Sequence, residues 1–201
     1  MWPIEERIFF RKMTIPLARK MKNSRITPNQ ISIIGFIFSL LSGFLILQNI
    51  YIFTLLSCIT LYFSYFFDKL DGDLARVKKI SSAYGNWFES IIDRAGEIVL
   101  TISIIYTTKI YTVPVGLLAG LLALVFPLLF YYYNELSRSI ARDKKSVGGF
   151  TYGYTRGRHF ILLIICALLN RLDIFLYVMS LGILYIFILF LVKFTEVRRT
   201  R

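Results

Sequence analysis

Cysteine and histidine are almost missing from this sequence, with Cys58, Cys166 and His159 as their only representatives among 201 residues. Both cysteines sit inside apolar runs, with no cysteine or histidine at metal-ligand spacing. They read as buried thiols, and a small disulfide scaffold is excluded. His159 reads as a helix-end residue rather than a catalyst. Acid is scarce too, since 12 Asp plus Glu stand against 24 Lys plus Arg, a net charge of +12. What fills the chain instead is apolar: 56% hydrophobic residues, 18 Phe and 13 Tyr, against about 45–50% apolar in soluble domains. Mean hydropathy is +0.62. Disorder, coiled coil and collagen are excluded, and a water-soluble globule is disfavoured.

Several segments are long enough to cross a bilayer. Residues 31–50 carry no charge, and 20 residues at about 1.5 Å each span a hydrocarbon core of about 30 Å. A second apolar run over residues 51–67 follows at once, so the turn near Gln48 must be tight and the two helices antiparallel neighbours. Residues 86–108 form the third predicted span despite Glu89, Asp93, Arg94 and Glu97, and charges at such depth mark function. Residues 113–133, with Pro114 in the first turn and Pro127 as a kink, form the fourth. The run 160–169 is short alone, so the fifth helix begins near Tyr154 or Arg156; residues 174–192 form the sixth.

The basic residues lie just outside these runs, where membrane lipid and the positive-inside bias explain them without nucleic acid. Seven precede the first span: Arg7, Arg11, Lys12, Arg19, Lys20, Lys22 and Arg25. Six more, Arg138, Arg142, Lys144, Lys145, Arg156 and Arg158, fall in the fourth connection, whereas the opposite side has only Lys109 and Arg171. Both termini are therefore expected in the cytoplasm of a multi-pass plasma-membrane protein. Phe9, Met13, Leu17 and Met21 recur every fourth residue, which predicts an interfacial helix within residues 1–26 rather than a signal peptide. Thr27, Pro28 and Gln30 then form a helix start with a capping box. The expected fold is an all-α integral membrane protein: one domain over 1–201, with an amphipathic juxtamembrane helix followed by a six-span bundle over 27–195.

Half of the scarce acids fall in one window, as Asp68, Asp71, Asp73, Glu89, Asp93 and Glu97. Asp68 and Asp71 are three apart at the end of the second span. Glu89 and Asp93 are four apart at the start of the third, about 6 Å along one helix face. A short connection over 72–84 brings the pairs together. Four converging carboxylates repel unless cations sit among them, and an all-oxygen set favours Mg²⁺, Mn²⁺ or Ca²⁺. Two such ions can clamp a diphosphate. Gly72 and Ala75 remove bulk beside the acids, as an approaching phosphate ligand requires.

The string Asp68, Asp71, Gly72, Ala75, Arg76, then eight residues, then Gly85, Glu89, Asp93 resembles the signature of the CDP-alcohol phosphotransferases. These are integral membrane enzymes of phospholipid synthesis. The resemblance implies six spans and a homodimer. It implies that Asp68, Asp71, Glu89 and Asp93 bind two Mg²⁺ or Mn²⁺ ions, and that Asp93 is also the general base toward an acceptor hydroxyl. By the same resemblance Gly72, Ala75 and Gly85 border the cytidine, Arg76 holds the nucleotide or its phosphates, and Asn29 contacts the diphosphate of a CDP-linked lipid or polyol donor. CMP leaves. The family has Asp at the third acidic position; Glu89 departs from it, and its extra methylene moves the carboxylate by about a bond length, where about 1 Å of misplacement costs roughly 10²-fold in rate.

The basic group Arg138, Arg142, Arg156 and Arg158 suits a phosphorylated alcohol acceptor, such as inositol phosphate or glycerol phosphate. The string from Asp93 to Glu97 leans toward the inositol phosphate branch. Two other classes compete. A Mg²⁺-dependent intramembrane prenyltransferase carries its two acidic motifs on widely separated helices, whereas here both lie within residues 68–93. A cation transporter is expected to repeat its acidic hairpin, and no second copy is present.

Overall fold

The computed structural model describes the backbone over residues 4–143 and 156–199, and side chains over 10–133, 159–188 and 191. Among the described residues the chain is all-helical, without a strand. The helices are α1 (Ile4–Lys20), α2 (Pro28–Leu47), α3 (Tyr51–Lys78), α4 (Ala83–Thr108), α5 (Pro114–Asp143), α6 (Arg156–Leu168) and α7 (Leu172–Arg199), with a 3-10 turn at Ile110–Thr112. α2 packs against both α3 and α4, α1 against α3, and α5 against α7. Three helices, α2, α3 and α5 over Pro114–Tyr133, are long and apolar enough to cross a membrane. The charges inside α4 keep it out of that class. The described parts of α6 and α7 contribute shorter apolar stretches, His159–Leu168 and Leu172–Ile188.

α2 begins as its sequence dictates. Thr27 is the N-cap, its Oγ1 accepting from the Gln30 backbone N–H at 3.3 Å while the Gln30 side chain accepts from Thr27 N–H at 2.9 Å, and Pro28 follows. Its buried face is small: Ser32, Gly35, Ser39, Ser42 and Gly43. That lets neighbouring backbones come close, the usual basis of helix association in lipid. At the crossing with α4, a Cβ on Gly96 would stand 2.7 Å from Ser39 Oγ. The opposite face of α2 exposes Ile33, Ile37, Leu40 and Phe44. The main core lies elsewhere, where Leu61, Tyr65, Leu100, Ile104, Phe126, Phe160 and Phe175 pack together.

One sequence expectation is corrected. Residues 72–84 were expected to connect the acid-bearing helices, yet α3 runs through Gly72 to Lys78 and only residues 79–82 turn. Leu70 and Leu74 explain this: both are buried with Ala18 and Ile31, and their packing outweighs the roughly 1 kcal/mol that a helical glycine costs. Lys79 then takes a left-handed φ of 58°, and Ser82 caps α4 by accepting from Gly85 N–H at 3.0 Å. α1 packs on the bundle by its small residues. Thr14 and Ala18 are fully buried, whereas Met13 and Leu17 remain exposed on the outer side; Phe9 lies outside the described side chains. A buried hydrogen bond from Thr14 to α3 fixes this rotation of α1. The predicted fifth helix corresponds to α6, its Tyr154 alternative start lying outside the described residues, while α4 begins earlier than predicted, at Ala83, and α5 runs on to Asp143. Cys166 is buried and Cys58 half-buried, both as free thiols.

Candidate active site

The end of α3 and the start of α4 bring acids together. One carboxylate oxygen each from Asp68, Glu89 and Asp93 lie within 4.8 Å of one another. Asp71 sits one turn along α3 from Asp68, 2% exposed. Its Oδ2 accepts a hydrogen bond from Ser32 Oγ at 2.5 Å, and its buried Oδ1 has no hydrogen-bond partner. A buried unsatisfied acceptor costs about 1–3 kcal/mol, more when ionised, and a cation among these oxygens removes that cost. The donor set, all carboxylate oxygen and close enough to share an ion, fits a hard divalent cation.

The other two acids of the window are taken by arginines. Asp73, 3% exposed, accepts from Arg76 Nη2 at 2.7 Å and from Thr14 Oγ1 at 2.5 Å, with Arg11 Nε at 4.0 Å. Glu97 pairs with Arg94 at 2.8 Å, and Arg94 also donates to the Pro127 carbonyl at 3.3 Å. Asp68 carries a cation as well: Lys69 Nζ lies 2.5 Å from its Oδ2 and over the Tyr65 ring.

A cavity of about 570 Å³ opens beside the acids. Eight predicted site residues line it: Asn29, Asp68, Asp71, Gly72, Ala75, Arg76, Gly85 and Glu89. Asp93 lines a narrower crevice together with Asp68, Asp71, Ser39, Ser64 and Gly96. The glycines keep the cavity open. A Cβ on Gly72 would stand 3.3 Å from the Arg76 guanidinium, and one on Gly85 would stand 3.3 Å from Ser82 Oγ and 4.0 Å from Asn29 Oδ1. Lys78 fastens the approach to Asn29 by donating to the carbonyls of Ser24 and Ile26 at 2.7 and 2.8 Å. The predicted acceptor residues are placed only by backbone: Arg138 and Arg142 on α5, Arg156 and Arg158 on α6. Their side chains lie outside the described residues, as do Lys144 and Lys145 altogether.

Sequence reasoning missed Arg11, Thr14, Ser32 and Lys69 as neighbours of the acids, and gave Asp73 no task. The Asp73–Arg76 and Arg94–Glu97 pairings were readable in advance, from their three-residue helical spacing.

The sequence pattern of the CDP-alcohol phosphatidyltransferase family matches residues 25–197. The chain belongs to this family. CDP-alcohol phosphatidyltransferases are transferases of phospholipid synthesis, and this one is a membrane enzyme by family and by its apolar helices. The match takes in α2–α6 and most of α7 but leaves α1 outside. Archaetidylinositol phosphate synthase of Pyrococcus horikoshii is 30% identical over 166 residues, covering 82% of this chain and 81% of that one. An uncharacterized protein of Aquifex aeolicus is 25% identical over 175 residues, 87% of this chain and 85% of its own. Among solved structures, phosphatidylinositol phosphate synthase of Mycobacterium tuberculosis with CDP-DAG bound superposes with a TM-score of 0.70 at 17% identity, covering 87% of this chain and 89% of that one. The same enzyme in complex with manganese and citrate gives 0.67 at 18% identity, covering 85% and 83%. These two establish the shared fold.

Proposed function

We propose that this transferase moves a substituted phosphate from a CDP-linked lipid, of the CDP-diacylglycerol or CDP-archaeol kind, to the hydroxyl of a phosphorylated alcohol and releases CMP. Inositol phosphate is the first acceptor to test and glycerol phosphate the second. The observation that carries the reading is the meeting of Asp68, Glu89 and Asp93 oxygens beside a cavity, next to the unsatisfied Oδ1 of Asp71. The relative named for archaetidylinositol phosphate synthesis supports the inositol phosphate choice.

Asp68, Asp71, Glu89 and Asp93 hold two Mg²⁺ or Mn²⁺ ions, which when bound neutralise charge on the diphosphate and on departing CMP. Asn29 and Arg76 orient the nucleotide along the opening that Gly72, Ala75 and Gly85 leave. Asp93 accepts the proton of the acceptor hydroxyl as its oxygen attacks the phosphorus bearing the donor's alcohol, and the bond from that phosphorus to the CMP oxygen breaks. Arg138, Arg142, Arg156 and Arg158 hold the acceptor phosphate. The whole chain acts as one domain of six spans, with α4, α6 and α7 crossing the plasma membrane beside the three apolar helices. α1 rests its exposed Met13 and Leu17 in the cytoplasmic interface. Both termini and the site face the cytoplasm, and the enzyme works as a homodimer.

The test is CMP release from CDP-diacylglycerol by purified protein with Mn²⁺, run separately with inositol phosphate, glycerol phosphate and unphosphorylated inositol. Release that depends on a phosphorylated acceptor and stops with EDTA is the expected result. No release with any acceptor rejects the reading, and equal rates with unphosphorylated inositol reject the phosphorylated acceptor.

A further inference from the structure

The part of the cavity lining formed by Arg11, Asp73 and Arg76 is unusual in its charge. Asp73 is one buried carboxylate with two guanidiniums near it, Arg76 of its own helix hydrogen-bonded at 2.7 Å and Arg11 of α1 more loosely paired at 4.0 Å. Among the described residues neither arginine meets another carboxylate, so one positive charge is left over at this wall. Both side chains line the cavity and keep their outer parts accessible, Arg11 at 36% and Arg76 at 58%. Asp68 and Asp71 line the same cavity. Thr14 donates to the second oxygen of Asp73, so the same carboxylate pins α1 to α3. A guanidinium fork matches phosphate oxygens, and burial of its counter-ion fixes its direction.

We propose that Arg11 and Arg76 form an anion-binding wall, set in place by Asp73 as a positioning residue, through which the N-terminal helix contributes directly to binding a phosphate group of the substrates. The inference rests on the proposed function in that the cavity takes phosphate-bearing substrates. It adds to it a helix that the family pattern does not include. The phosphate comes either from the diphosphate of the donor or from the acceptor.

The experiment uses the full-length protein in lipid nanodiscs with Mn²⁺, and measures binding of CDP, cytidine and glycerol phosphate alongside CMP-release kinetics. Arg11→Gln is expected to weaken CDP binding about ten-fold, as loss of a charge-assisted hydrogen bond does, and to leave cytidine binding unchanged. Weakening of glycerol phosphate alone assigns the wall to the acceptor. Arg11→Lys, which keeps the charge, recovers part of the loss. Asp73→Asn still offers Thr14 an amide oxygen but removes the charge that aims both arginines. Its KM for the ligand concerned rises about ten-fold, while kcat stays within about two-fold. A merely structural role would instead lower the active fraction and leave KM alone. Binding of CDP and glycerol phosphate within about two-fold of wild type in both Arg11→Gln and Asp73→Asn overturns the proposal. Wild-type protein that binds no CDP and releases no CMP overturns the functional reading itself.

Discussion

At the residue scale, the six acids of the hairpin between α3 and α4 divide by what they face. Arginines take Asp73 and Glu97, and Asp68, Asp71, Glu89 and Asp93 are the four to which the proposed function gives the chemistry. Asp93→Asn is expected to lower transfer by about 10²–10⁴-fold, the usual worth of a general base, with an unchanged melting temperature. Retained turnover would remove Asp93 from that role. Glu89→Asp restores the residue the family carries there and is expected to keep or raise turnover. A loss of about ten-fold or more would mean that the surroundings are built for the longer side chain. These four acids and the glycines were legible because their spacing is a helical one, and helical spacing survives folding. Arg11 and Thr14 were not legible, because their contact with Asp73 joins residues about sixty positions apart, and no local period encodes such a pairing.

At the scale of elements, turn chemistry predicted well where capping decides and poorly where packing decides. Thr27, Pro28 and Gln30 gave the start of α2 to the residue. Gly72 suggested an end to α3 that buried Leu70 and Leu74 overrode. Close approach imposes a different demand at the start of α5, where a Cβ on Gly116 would fall 2.1 Å from the Ile110 carbonyl oxygen. Backbone cannot yield as a side chain does. Gly116→Ala is expected to cost about 1–3 kcal/mol, read as a melting temperature lowered by several degrees. Gly120→Ala, which meets only side chains, Ile105 at 3.2 Å and Ile110 at 3.6 Å, is expected to lower it less.

At the scale of the molecule, the six-span reading and its orientation rest on charge counts over connections, and single-cysteine labelling tests them. In protein lacking Cys58 and Cys166, a cysteine at Lys79 is expected to react with an impermeant maleimide only from the cytoplasmic side, and one at Lys109 only from the opposite side. The reverse pattern would invert the topology. The length of α3 carries one more consequence. Its uncharged part, residues 51–67, reaches about 26 Å, a little short of the hydrocarbon. The whole helix of 28 residues reaches about 42 Å. Asp68 and Asp71 therefore ride on a stalk whose height is fixed by how thick the surrounding bilayer is. A lipid-borne donor can keep its tails dissolved while only its polar end is processed, and any change of thickness shifts the workplace up or down relative to that end.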